Sequence, residues 1–205
     1  MFSLLMFFCM ACFGQKAVTA AEQKAMIEKV EAAASGINTL QCDFVQEKAF
    51  SLLNDKMIAK GVMHFRKPNL LHWEYTTPYT YTFVLNGTKV LLKSKQKKDV
   101  IDVRSSQLFQ EIAKIMMNSV TGKCLSDKSN FAVTMYKSDS EWQAKLVPQK
   151  KNMKQMFSAI VLHIDPSQGV VNKVEMKEKT GDTTEIQLKG ITKNGKIDDK
   201  VFSID

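Results

Sequence analysis

The chain has 205 residues, 44% of them hydrophobic and 24% charged, and a formal net charge of +8 at pH 7. That balance excludes a disordered chain and is sized for one domain with a real core. The lysine excess narrows the partners to anions: nucleic acid, anionic head groups or acidic patches on proteins.

Residues 1 to 14, MFSLLMFFCMACFG, are uncharged and almost wholly apolar. The stretch is shorter than the ~20 residues a spanning helix needs and reads as a secretory signal, cleaved before Gln15 or as late as after Ala20. Export removes nucleic acid from the candidate partners. A lipid anchor on Cys12 is the competing reading, but Cys9 stands where a lipobox needs a leucine-like residue. Residues 15–205 then form the working domain.

From about Ala21 to Ser35, strong helix formers carry Ala25, Met26, Val30 and Ala33 at helical spacing, and Gly36 ends the run. Alternation predicts strands over 40–48 and 57–65, then two more through Leu71, Trp73, Tyr75 and through Tyr81, Phe83, Leu85. Pro68-Asn69 makes a corner, and Asn86-Gly87 a two-residue hairpin. Strands follow at 89–93 and 99–103, with the lysine-dense run Lys93 to Lys98 at the tip between them. The period changes over Gln107 to Val120, where Leu108, Ile112, Ile115 and Met116 recur three and four apart as a second helix. Beyond it, alternation returns over 131–136, 142–147, 157–164, 170–177, 183–191 and a last piece near 201–204. Evenly spaced short strands with such turns predict an antiparallel sheet curled on itself.

Catalytic chemistry finds little support. The three histidines, His64, His72 and His163, all fall on strands, and no Gly-x-Ser-x-Gly elbow, phosphate loop or His-Glu-x-x-His motif occurs. The cysteine and histidine spacing does not suit zinc. Cys42 and Cys124 leave two readings open, a disulfide or two separate buried thiols. What stands out is apolar surface, including twelve methionines, a side chain suited to ligands of varied shape.

The residues Gly61, then Arg66-Lys67-Pro68-Asn69-Leu70-Leu71-His72-Trp73, then Pro78, resemble the signature of the LolA family. The resemblance runs from the helix near residue 22 to the C-terminus, through Asp43-Phe44-Val45-Gln46 and Asn86-Gly87. It implies a mainly β, single-domain, incompletely closed antiparallel β-barrel covered by helices. Such a barrel shelters lipoprotein acyl chains in a hydrophobic cavity, as a soluble periplasmic monomer with no cofactor or metal. It takes acylated lipoproteins from an inner-membrane ABC transporter to an outer-membrane acceptor. On this resemblance Phe44, Met63, Leu71, Trp73, Tyr75, Tyr81 and Phe83 face the cavity, and Ile112, Ile115 and Met116 line the second helix.

Two departures matter. The family has an arginine before Pro-Asn-Leu that holds the lid closed, whereas here Lys67 takes that place with Arg66 beside it. Lysine lacks arginine's planar fork, so Lys67 as a weaker latch, Arg66 from the other face, and some other control all stay open. Leu71 stands where the family often has phenylalanine. Relatives of the same fold include an anchored receptor, LolB, and lipid-sensing regulators of envelope stress, and these are the alternative readings.

Overall fold

The computed structural model describes residues 16–105 and 123–204. The segment expected as a signal and the helix expected over 107–120, with Ile112, Ile115 and Met116, lie outside the described residues. The strands are β1 (Lys16–Ala17), β2 (Thr39–Phe50), β3 (Asp55–Arg66), β4 (Leu70–Thr77), β5 (Tyr81–Asn86), β6 (Lys89–Ser94) and β7 (Lys98–Asp102). They continue with β8 (Phe131–Lys137), β9 (Trp142–Pro148), β10 (Phe157–Asp165), β11 (Val170–Glu178) and β12 (Thr183–Lys193). All join one antiparallel sheet in the order β1-β8-β9-β10-β11-β12-β2-β3-β4-β5-β6-β7. β1 and β7 are its two edges, so the barrel stays unclosed, as the family resemblance implies.

Alternation sorts every strand onto two faces. The inner face carries two apolar clusters. One is built on β2 to β6 and includes Leu40, Phe44, Met63, Phe65, Leu71 and Trp73. The other is built on β8 to β11, where α1 (Ala20–Ser35) lays Met26 and Val30 over Met135, Leu146, Leu162 and Ile164. Thr19 starts α1 through a capping box: its hydroxyl accepts from Glu22 N, and Glu22 accepts from Thr19 N at 3.0 Å. The Lys137 ammonium, 2.8 Å from Glu22, and the Thr19 bonds hold that carboxyl down at about 2.

Three segments differ from expectation. The two-residue edge strand β1 is too short to show alternation. A six-residue helix, α2 (Lys151–Met156), interrupts β9 and β10 and cannot show a helical period. The piece near 201–204 is not a strand: Asp199–Phe202 is a 3-10 turn capped by Asp198, whose carboxylate accepts from Lys200 N at 2.9 Å.

That turn matters because it covers the outer face of β4 to β6. Ile197 and Phe202 pack on Val84 and Leu91, residues of the opposite parity to the inner cluster. Asn86 Nδ2 donates to Phe202 O at 3.0 Å, and His72 Nδ1 lies 2.8 Å from Val201 O. His72 Nε2 meets Glu74 at 3.1 Å, under this cover rather than in open solvent. His64, whose ring centroid is 5.6 Å from that of His72, keeps a buried Nδ1 with no hydrogen-bond partner among the described residues.

Burial, with the neighbouring His72 adding to it, lowers the His64 pKa below its ordinary 6.5, against a smaller opposing pull from Glu74. A depressed histidine pKa gives stability that is present above the unfolded value and lost as pH falls through the folded one. We therefore expect His64→Gln to flatten the loss of thermal stability below about pH 6.5. Unfolding midpoints measured across that range should show a shallower slope than the parent chain, and an identical slope would remove His64 from the account.

Candidate functional site

The inner cluster is laid out in rows running across the strands. The first row is Leu40, Phe65, Leu71, Leu85 and Val90, none more than 3% exposed. The second is Cys42, Met63, Trp73, Phe83 and Leu92, of which the last two are half-buried. The third runs Leu188, Phe44, Gly61, Tyr75 and Tyr81, with Leu188 and both tyrosines half-buried. Beside it, Ile186 of β12 stands half-buried opposite Gln46. Apolar surface therefore passes from wholly enclosed to partly accessible along the strands.

Gly61 makes this wall possible. A Cβ there would stand 2.6 Å from the Phe44 ring and collide with Glu74 O. Without one, the Phe44 ring lies down on the backbone and stacks on Trp73, centroids 4.1 Å apart at 25°. Tyr75 meets Phe44 edge-on at 5.2 Å and donates its hydroxyl to Gln46 Oε1 at 2.9 Å. Trp73 Nε1 is buried and makes no hydrogen bond among the described residues. Of the residues expected on the cavity wall, Phe44, Met63, Leu71, Trp73, Tyr75, Tyr81 and Phe83 thus share one face, although Leu71 is wholly enclosed.

The last turn of α1 contains no basic residue. Lys67, in the corner after β3, supplies one from outside: its Nζ donates to Ala34 O at 3.1 Å and Ser35 O at 2.7 Å. Asn194, at φ 59°, ties the chain just after the helix, donating to Gly36 O at 2.9 Å and accepting from Asn38 N at 2.7 Å. The Asn194-Gly195 pair reads in the sequence as a turn and says nothing of these partners. Arg66 faces the other way. Its guanidinium pairs with Asp199 at 2.5 Å, donates to Ile197 O and lies over the Phe202 ring at 5.0 Å, clasping the outer cover.

Cys42 and Cys124 are not bridged, because each is buried in a different cluster, Cys42 with Met63 and Phe65, Cys124 with Phe131 and Met135. Burial, with Asp43 adjacent, pushes the Cys42 thiol up to about 12, so it stays a neutral, apolar wall residue.

Residues 35–205 match the profile of the family described as Outer membrane lipoprotein carrier protein LolA. The chain belongs to this family. An "Outer-membrane lipoprotein carrier protein" of Chromohalobacter salexigens is 25% identical over 188 residues, covering 92% of this chain and 86% of its own. One of the same description from Methylococcus capsulatus is 24% identical over 165 residues, covering 80% and 76%. Among solved structures, the Pseudomonas aeruginosa MucA/MucB complex aligns at 10% identity with a TM-score of 0.50, covering 89% of this chain and 60% of that one.

The cation of the corner Lys67-Pro68-Asn69 is a lysine. The geometry explains how lysine serves here: two carbonyls at a helix end need a point charge, not a planar fork. The half-buried aliphatic residues of β6 and β12, Leu92, Ile186 and Leu188, were missed as wall residues, because their short strands paired with the aromatic ones only in three dimensions.

Two outcomes follow from these contacts. Gly61→Ala should lower the free energy of unfolding by about 2–3 kcal/mol, through overpacking against Phe44 and the β4 backbone. Urea denaturation measures it, and a cost within error of zero would mean that the Phe44 ring is not seated there. Lys67→Leu should cost about 1 kcal/mol and speed amide exchange at the C-terminal turn of α1. Unchanged exchange at that turn would mean that Lys67 does not anchor the helix.

Proposed function

We propose that this LolA-family chain is a periplasmic carrier that acts by binding rather than catalysis, sheltering lipoprotein acyl chains against the inner face of β2 to β6 and β12. The observation that carries this reading is the graded apolar wall, enclosed at the Leu71 row and accessible at Phe83, Leu92, Tyr75 and Tyr81. Each methylene withdrawn from water contributes about 0.8 kcal/mol, so a diacyl or triacyl anchor cannot cross an aqueous compartment without such a surface. The wall offers no charge to an acyl chain, and its half-buried side chains can shift to fit chains of different length.

In this reading the cargo comes from an inner-membrane lipoprotein-releasing ABC transporter, which supplies the energy, and leaves to an outer-membrane acceptor. Lys67, with Asn194, holds α1 against the barrel at the enclosed end of the wall. The carrier works as a soluble monomer once residues 1–14 are removed as a signal.

Leu71 is a poor place to test the wall, since a glutamate in that enclosed row would test folding instead. Phe83 is half-buried and pairs with Trp73 and Leu92. We expect Phe83→Glu to fold, as judged by circular dichroism, and to release at least about tenfold less lipoprotein from inner-membrane vesicles. Release at the parent level by the folded variant would overturn the inner face as the cargo site.

A further inference from the structure

The hairpins of the sheet end at two poles of different character. At one pole lie the connections 51–54, 78–80, 95–97, 126–130, 149–156 and 179–182. Together they carry seven lysines and only two acidic residues, Asp127 and Asp182. Asp182 is occupied by Ser51 and Asp127 by Ser129 and Asn130. At the other pole, connections 36–38, 67–69, 87–88, 138–141, 166–169 and 194–198 carry two lysines against three acidic residues. Among these connections the positive charge is therefore gathered at one end.

Among the described residues, the same end carries most of the large apolar side chains left in water. Leu52 is 93% exposed and Leu53 72%, side by side at the tip of the β2–β3 hairpin. Tyr79 on the adjacent β4–β5 connection and Met156 on the β9–β10 connection of the same pole are each 40% exposed. Two adjacent leucines projecting from a turn gain nothing for the fold. The tip is nonetheless held firmly. Ser51 N donates to Asp182 Oδ1 at 3.0 Å, its hydroxyl reaches Thr180 O at 3.2 Å, and Asn54 takes φ 47° to close the turn.

We propose that this pole is a membrane-docking surface, which sets Leu52 and Leu53 into the interface of a bilayer containing anionic lipid while the surrounding lysines meet the head groups. Charge complementarity selects the bilayer over a protein. The lysines are spread over four of the six connections around an apolar tip, which suits a broad negative plane better than a shaped acidic pocket. α1 supports the same orientation. It packs at the opposite pole, with Glu22 on Lys137, Lys29 over Trp142, Ala33 against Gly169 and its last carbonyls on Lys67. The accessible rows of the inner face, through Tyr75 and Tyr81, lie toward the leucine tip. The surface does not depend on the acyl-carrier reading, and it binds vesicles that hold no lipoprotein.

The test is flotation of the chain, as recovered from the exporting cell, with vesicles of phosphatidylcholine alone or mixed with phosphatidylglycerol. The parent should float with the anionic vesicles, less so at high salt. The double variant Leu52→Glu, Leu53→Glu should lose at least about tenfold in vesicle partition, since both changes lie in water and leave the fold intact. Lys151→Glu with Lys154→Glu, on α2, should abolish the preference for phosphatidylglycerol. A parent chain that ignores anionic vesicles, or a double-leucine variant that floats as well as the parent, would overturn the proposal. So would a parent indifferent to vesicles whose leucine variant takes up lipoprotein but fails to deliver it, because the surface would then belong to a protein acceptor. Failure of the carrier reading looks different: Phe83→Glu would release lipoprotein normally, and flotation would be untouched.

Discussion

A phenyl ring lying on bare backbone sets the shape of this molecule. Phe44 can rest on β3 only because residue 61 has no side chain, and the β3–β4 register slips between Lys60 and Gly61 at the same place. A bulge next to a glycine raises the local twist and bends the strand. The Phe44–Trp73 stack fills the inside of that bend, so the aromatic wall and the sheet's curvature depend on one another. A sheet left flat at this point would spread the three rows and expose their enclosed end.

One sheet with two faces needs two covers, and the corner after β3 serves both. Arg66, still in the strand, projects to the outer face and holds the C-terminal turn by an ion pair, a carbonyl bond and a ring contact. Lys67, one residue on, reaches the end of α1. Adjacent residues of like charge would ordinarily repel, but each meets its own negative end, a carboxylate for one and helix carbonyls for the other.

Most of the barrel was legible because antiparallel strands with one apolar face write their period into the sequence, as in Leu71, Trp73, Tyr75 against His72, Glu74. Segments that escaped were those too short to have a period, such as the six residues of α2, or those whose apolar residues serve an unexpected face. The piece near Val201 to Ile204 was expected as a strand, yet Phe202 within it is buried on the outer face by a turn. Partners at long range were also invisible. Nothing local distinguishes Arg66 from Lys67 as the residue that meets the helix, and nothing in the spacing of Cys42 and Cys124 says that they sit in separate clusters. The aromatic half of the wall was readable from its own strands, whereas Leu92, Ile186 and Leu188 joined it through register alone.

The rows also separate what holds the fold from what is left to bind. Leu40, Phe65, Leu71, Leu85 and Val90 are fully enclosed at the pole where Lys67 and Asn194 fix α1, so their contribution to stability is present whether or not anything lies on the wall. Phe83, Leu92, Tyr75 and Tyr81 retain accessible apolar area, and covering it would release free energy that folding has not already used. A ligand taken up there strengthens the closed state without being needed to form it. That arrangement lets an apolar load leave without unfolding the barrel, which a carrier must permit on every cycle. Under the carrier reading proposed above, the enclosed rows and the helix anchor share one pole and the leucine tip the other, so that the end that exchanges is not the end that is locked.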